Sequence, residues 1–137
     1  MKKVVWTLSI ALALLLLAGR PAWAVPPLPS SFYGRVTLDG EDVSPGVVVS
    51  ARINGVKYAE TTVVSYEGHS AYAINVPGDD DESPGVEGGV EGDIVVFYVA
   101  ECRAVETAVW HSAVNVEHDI SALSAAPERI YLPVIFK

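Results

Sequence analysis

Beyond residue 31, apolar and polar residues alternate with a period of two in short runs, and turn residues bound each run. Phe32–Leu38 sets Phe32, Gly34, Val36 and Leu38 against Tyr33, Arg35 and Thr37. Val47–Ile53 sets Val47, Val49, Ala51 and Ile53 against Val48, Ser50 and Arg52. Such alternation belongs to half-buried strands, because successive side chains point to opposite faces. Asn54-Gly55 then separates this run from Val56–Thr62. An Asn-Gly pair between two alternating runs predicts a type I′ hairpin, whose two central residues need positive φ. Val63–Ser65 extends that strand, and Tyr66–Ser70 reads as the next turn. Ala71–Val76 follows, with Tyr72, Ile74 and Val76 on one face. Ile94–Val99 is apolar on both faces and reads as a central strand. Ala100–Arg103 is the expected turn, Ala104–Val109 alternates again, and Ala113–Ile120 carries Val114 and Val116 on one face.

This makes seven short strands. No stretch beyond residue 31 holds a 3.6-residue apolar period over ten residues, and Asp119–Arg129 offers one helical turn at most. Seven strands at regular spacing predict an all-β sandwich over residues 32–120.

The ends of the chain read differently. Met1-Lys2-Lys3 precedes an apolar run to Ala18, and Ala22-Trp23-Ala24 closes it. A basic start, a short apolar stretch and an A-x-A exit predict a secretory signal peptide over residues 1–24. The run falls short of the roughly 20 residues that span a bilayer. Leu17-Ala18-Gly19 resembles the start of a lipoprotein box, but Arg20 stands where that box needs cysteine. Val25–Ser31, with three prolines in seven residues, reads as an extended linker. Residues 121–137 form a tail ending in Tyr-Leu-Pro-Val-Ile-Phe-Lys.

Charge narrows the partners. Cleavage after Ala24 removes three of the nine basic residues (Lys2, Lys3, Arg20) and none of the 17 acidic ones, so the mature net charge is −11. That excludes nucleic acid, whose phosphates require Lys and Arg, and disfavours anionic membranes. Cys102 is the single cysteine, so no intrachain disulfide forms and the core must hold the fold by itself. On an exported protein, an exposed Cys102 thiol stays free or bridges to another chain.

The densest candidate chemistry is Asn75–Asp93, NVPGDDDESPGVEGGVEGD, which holds seven acidic residues and no basic one. Calcium takes six to eight oxygens, and Asp79, Asp80, Asp81 and Asp93 are the residues that would supply them. The spacing is not that of an EF-hand, and four adjacent acids also suit a solvated loop with ordered ends. The three histidines, His69, His111 and His118, lack the spacing of a zinc site and read as surface residues. Trp110 reads as a core-edge residue, or as a platform on which a sugar could stack. Catalysis finds no signature. There is no G-x-S-x-G elbow, and Cys102 with His111 is the sole conceivable nucleophile–base pair. The loosely spaced glycines of the acidic loop do not make a phosphate cradle, since no lysine follows them.

Phe32–Gly55, FYGRVTLDGEDVSPGVVVSARING, resembles the opening of a carboxypeptidase-regulatory-like domain: a G-x-V strand, a Pro/Gly loop, then V-x-V-x-A. The stretches INGVKYAETT, Y-x-I-x-VPGDD, PGVEGGVEGDIVVFYV and A-x-x-x-A-x-WHS resemble a small secreted module of bacterial envelope proteins. The resemblance covers Phe32 to Ile120. It implies a seven-stranded immunoglobulin-like or transthyretin-like sandwich, extracellular and non-catalytic, with no cofactor. Two departures stand out. Ala100–Arg103 replaces a turn that holds Asn-Gly in the relatives, and Ala113 stands where they often carry glycine. The Arg129–Lys137 ending resembles the tails of secreted proteins from the same setting, which implies a tag read by export or sorting machinery; an edge strand is the alternative.

The expectation is therefore a structural or adhesive module, secreted or envelope-associated, with a protein or glycan partner at the cell surface. The alternative is a carbohydrate- or peptide-binding module, using Trp110 or an open sheet edge, with calcium as a stabiliser in the 79–93 loop.

Overall fold

A computed structural model describes residues 25–125. The proposed signal peptide and the YLPVIFK motif lie outside the described residues. Within them the chain is all-β. Ten strands follow in order: β1 Ser30–Leu38, β2 Glu41–Asp42, β3 Val48–Ile53, β4 Val56–Thr62, β5 Val64–Tyr66, β6 His69–Val76, β7 Ile94–Val99, β8 Cys102–Val109, β9 Asn115–Glu117 and β10 Ile120–Ala122.

The strands form one continuous path, β4-β3-β7-β8-β10-β1-β6-β5, with β2 and β9 added alongside β1. Most neighbours are antiparallel; β9 and β10 run parallel to β1. β1 changes partners midway. Ser30–Arg35 pairs with β6, and Val36–Leu38 pairs with β10. β10 in turn reaches β8 through Ala122 and Ala104, which joins the two halves. At the other end of the path, β4 and β5 are consecutive in the chain. Buried Val63 links them, donating its amide to the Val47 carbonyl at 2.8 Å and accepting from the Gly46 amide at 2.9 Å. The sheet thus curls until it is nearly closed, and its concave face is the core.

Four tight turns set the registers. Asp39-Gly40, Asn54-Gly55, Glu67-Gly68 and Ala100-Glu101 each join two antiparallel strands, and all eight residues have positive φ. This is the type I′ signature, which matches the right-handed twist of the strands it joins. The first three pairs carry glycine second, where positive φ carries little steric cost. The fourth carries no glycine, and Ala100 (φ 46°) and Glu101 (φ 68°) are held in a region that side chains resist.

Inside, Phe32 meets Phe97 edge-on at 5.4 Å between ring centroids, and Tyr72 meets Phe97 at 6.1 Å. Val36, Val49, Ala51, Ile53, Val76, Val95 and Val99 complete the apolar interior. The inward faces expected for β1, β3 and β6 are the observed ones.

Several expectations are corrected. There are ten strands where alternation predicts seven. Asp39–Gly46 is not all loop, because β2 folds back on β1. Val63–Ser65 does not extend β4; the chain crosses to pair with β6 as β5. Ala113–Ile120 is not one strand, and Val116 is exposed. It divides into β9 and β10 because Asp119 turns back on β1, its Oδ1 accepting from the Arg35 amide at 2.7 Å. The Val25–Ser31 linker is docked in part. Ser30 is buried within β1, and the Leu28 carbonyl accepts from the Ser112 hydroxyl at 3.2 Å.

Candidate functional site

The acidic loop closes on itself. The Asp79 amide donates to the Gly89 carbonyl and the Gly89 amide to the Pro77 carbonyl, both at 2.9 Å, so Gly78 and Gly89 bridge like parallel strands. Four of its seven carboxylates accept from the chain's own amides. Asp79 Oδ1 accepts from Glu87 N at 2.8 Å, Asp80 Oδ1 from Glu82 N at 3.0 Å, and Asp93 Oδ2 from Val90 N at 3.0 Å. Glu91 takes the Ser112 amide at 2.8 Å and faces His111 Nδ1 at 2.7 Å. These contacts, the Ser112 amide foremost, hold the Glu91 carboxyl below the usual carboxylate range. The loop is therefore ordered through its middle as well as its ends. Asp79, Asp80, Asp81 and Asp93 do not converge. Among the described residues, no group of three His, Cys, Asp or Glu side chains surrounds a point where a metal ion could sit.

The loop wraps Trp110, which is 1% exposed. A Cβ on Gly89 would lie 2.6 Å from the indole, and one on Gly78 2.9 Å from it. The indole N–H donates to the Val76 carbonyl at 3.1 Å. Trp110 has no free ring face, so the stacking alternative is corrected: the residue lies in the core, and the acidic loop is built around it.

Cys102 is also relocated. It opens β8 rather than lying in the turn, and it is half-buried against the core. Cys102 and His111 bracket β8, about 30 Å apart at some 3.3 Å per residue, so they do not form a catalytic pair. His118 is half-buried rather than an ordinary surface residue. Its ring packs on Phe97 at 5.4 Å and on Phe32 at 6.2 Å. Nearby, the Tyr72 hydroxyl donates to the His118 carbonyl at 2.5 Å, and burial, with the charges of Asp119 and Glu106, pushes the phenol upward.

A concave surface lies elsewhere, on the outward side of β1, β6 and β5. Because Phe32 and Val36 point inward, Tyr33 and Arg35 point out. Because Tyr72 and Ile74 point inward, Ala71 and Ala73 point out. Register then places Tyr33 beside Ala73, Arg35 beside Ala71, and Ala71 beside Val64. Two alanines make a low floor between higher walls, and the trough has a volume of ≈ 570 Å³. Tyr33 is 41% exposed and Tyr66 is 65% exposed. Glu67 borders Tyr66, and Glu117 and Asp119 border Tyr33. Arg35 donates to His69 Nδ1 at 2.8 Å, which leaves the ring proton of neutral His69 on Nε2.

Alternation alone orients Tyr33 and Arg35 outward. It does not reveal the trough, because the crossing at Val63 that brings β5 beside β6 has no local signature. No family model, curated protein or solved structure matches the chain. Among the described residues, no helix is long and apolar enough to cross a membrane.

Proposed function

We propose that this protein is a non-catalytic, secreted or envelope-associated β-sandwich module, structural or adhesive in role, that makes contact through the trough between Tyr33 and Tyr66. The immunoglobulin-like or transthyretin-like kinship suggested by Phe32–Gly55 fits this reading. The observation that carries it is the trough itself: exposed aromatic side chains over an alanine floor, held by three paired strands. Ligand sites of roughly 300–1,000 Å³ are commonly lined in this way, with a few polar groups at the edge. The export reading draws support from the Met1–Ala24 pattern and the mature charge of −11.

The test is made in the native cells and with the purified protein. Fractionation should recover the protein at the envelope or in the medium. Fluorescently labelled protein should bind envelope material saturably, and the Tyr33→Ala/Tyr66→Ala double variant should lose that binding. Confinement to the cytoplasm, or binding untouched by the double variant, would overturn the proposal.

A further inference from the structure

The geometry points to a neutral carbohydrate chain as the ligand of the trough, an inference that rests on the adhesive reading above. Three features select it. The first is span. Tyr33 pairs with Ala73 and Tyr66 with His69, on opposite sides of β6. Two strand spacings across and four residues along put the tyrosines about 16 Å apart. One small ring cannot touch both, so the ligand is a chain lying across the face.

The second feature is the surface. Tyr33 and Tyr66 present amphipathic rings, each with an apolar body and a polar tip. Ala71 and Ala73 keep the floor low enough for a flat ring to approach. The third feature is the sign of the rim. Glu67 stands at one end of the trough, Glu117 and Asp119 at the other, and Arg35 between them. A polyanion would meet carboxylates at both ends, and a polycation would meet the Arg35 guanidinium, whose charge the exposed Asp42 carboxylate at 4.0 Å offsets only in part. Hydroxyl groups both donate and accept, so a polyhydroxylated neutral chain satisfies Arg35 and the carboxylates together. The carboxylate of Asp119 keeps one oxygen for this after Oδ1 takes the Arg35 amide.

The experiment titrates the full exported protein with cellohexaose, xylohexaose and chitohexaose, following amide shifts by NMR and heat by calorimetry. At least one sugar should bind saturably, with shifts centred on β1, β6 and β5. Tyr33→Ala and Tyr66→Ala should each weaken binding by about tenfold or more while leaving Tm close to the parent's. Affinity should change little with ionic strength, because the ligand carries no charge to screen.

Binding by none of the sugars would overturn the inference, as would sugar binding that survives both substitutions. Competition for the trough by oligolysine or oligogalacturonate alone, with strong salt dependence, would overturn it in favour of a charged partner. Envelope binding that depends on the tyrosines but yields to no sugar would sink the carbohydrate inference and leave the adhesive reading standing. Sugar binding in solution without any envelope binding would do the reverse.

Discussion

Trp110 and the Tyr33–Tyr66 pair are both aromatic groups ringed by carboxylates, and the chain uses them in opposite ways. Around Trp110, the acidic loop folds inward. Asp79, Asp80, Asp93 and Glu91 accept backbone amides, and Gly78 and Gly89 let the loop lie against the indole. Around the tyrosines, the side chains face solvent. The difference lies in what the carboxylates are bonded to. An acidic cluster becomes scaffold when its oxygens satisfy the chain's own donors, each such bond fixing the path of the loop.

The sharpest way to break this comparison is to remove each aromatic group. Trp110→Ala should destabilise the fold by about 3–5 kcal/mol, the usual range for deleting a buried Trp side chain. Tyr66→Ala should change stability by no more than about 0.5 kcal/mol, as exposed substitutions do. Urea unfolding of both variants decides the matter. Equal losses would mean that the trough is scaffold too.

Acid should act on the scaffold carboxylates next. Asp39 is held below the usual carboxylate range by the Ser124 hydroxyl and amide, and Asp42 by those of Ser70. Glu91 is lowered by the Ser112 amide and His111. At Glu106 burial opposes ionisation, but the Ser121 amide and hydroxyl outweigh it and the net shift is downward. A carboxylate lowered in the folded state binds its proton more readily when unfolded. Its contribution is therefore complete above the ordinary carboxylate range near pH 4 and is lost as pH falls below it. Tm should hold from neutral pH to about 5 and then drop. Glu91→Gln should flatten part of that drop.

The sequence makes part of this legible. Period-two alternation locates β3 and β4 within a residue, a continuous apolar run locates β7, and Asn54-Gly55 fixes a hairpin, because all three signals are local. The buried state of Trp110 is less legible. Gly88-Gly89 hints that something lies close to the backbone, yet it does not say what. The trough is invisible in the sequence, since it needs a chain crossing at Val63 and a register between β1 and β6. The sequence puts Cys102 in the turn for a related reason. Ala100-Glu101 makes a tight turn with no turn-type residue, so the sequence makes the turn read two residues longer than it is.

That turn supplies a smaller effect in the opposite direction. Ala100 and Glu101 have φ values of 46° and 68°, and Ala113 has 61°. Left-handed backbone costs an ordinary L-residue about 1–2 kcal/mol, less for Asn and least for Gly. Extra freedom in the unfolded chain returns about 0.4–1 kcal/mol of that gain when Gly is introduced. Ala100→Asn with Glu101→Gly should therefore stabilise the protein by about 1 kcal/mol, even after losing the exposed Arg52–Glu101 pair. Ala113→Gly should stabilise it by somewhat less. Both raise Cm in urea without changing the slope. A destabilised double variant would show that these residues do not carry the strain their φ values imply.

Calcium is expected to have the smallest effect, and it bears most directly on the comparison. A calcium ion needs six to eight oxygens at once. In the acidic loop, Asp79, Asp80 and Asp93 each already give one oxygen to an amide that would be left without a partner if the side chain turned away. Each keeps a second oxygen, but the three side chains do not converge on one point, so binding would have to reshape the loop around Trp110. Millimolar calcium should leave Tm where it stands in chelator. A site filled at a hundred times its Kd would add about 2.7 kcal/mol, an effect easily seen in a thermal scan. Such a rise, abolished by Asp79→Asn, would mean that the loop's oxygens converge on a cation after all, and that a carboxylate bonded to its own chain can still serve as a ligand.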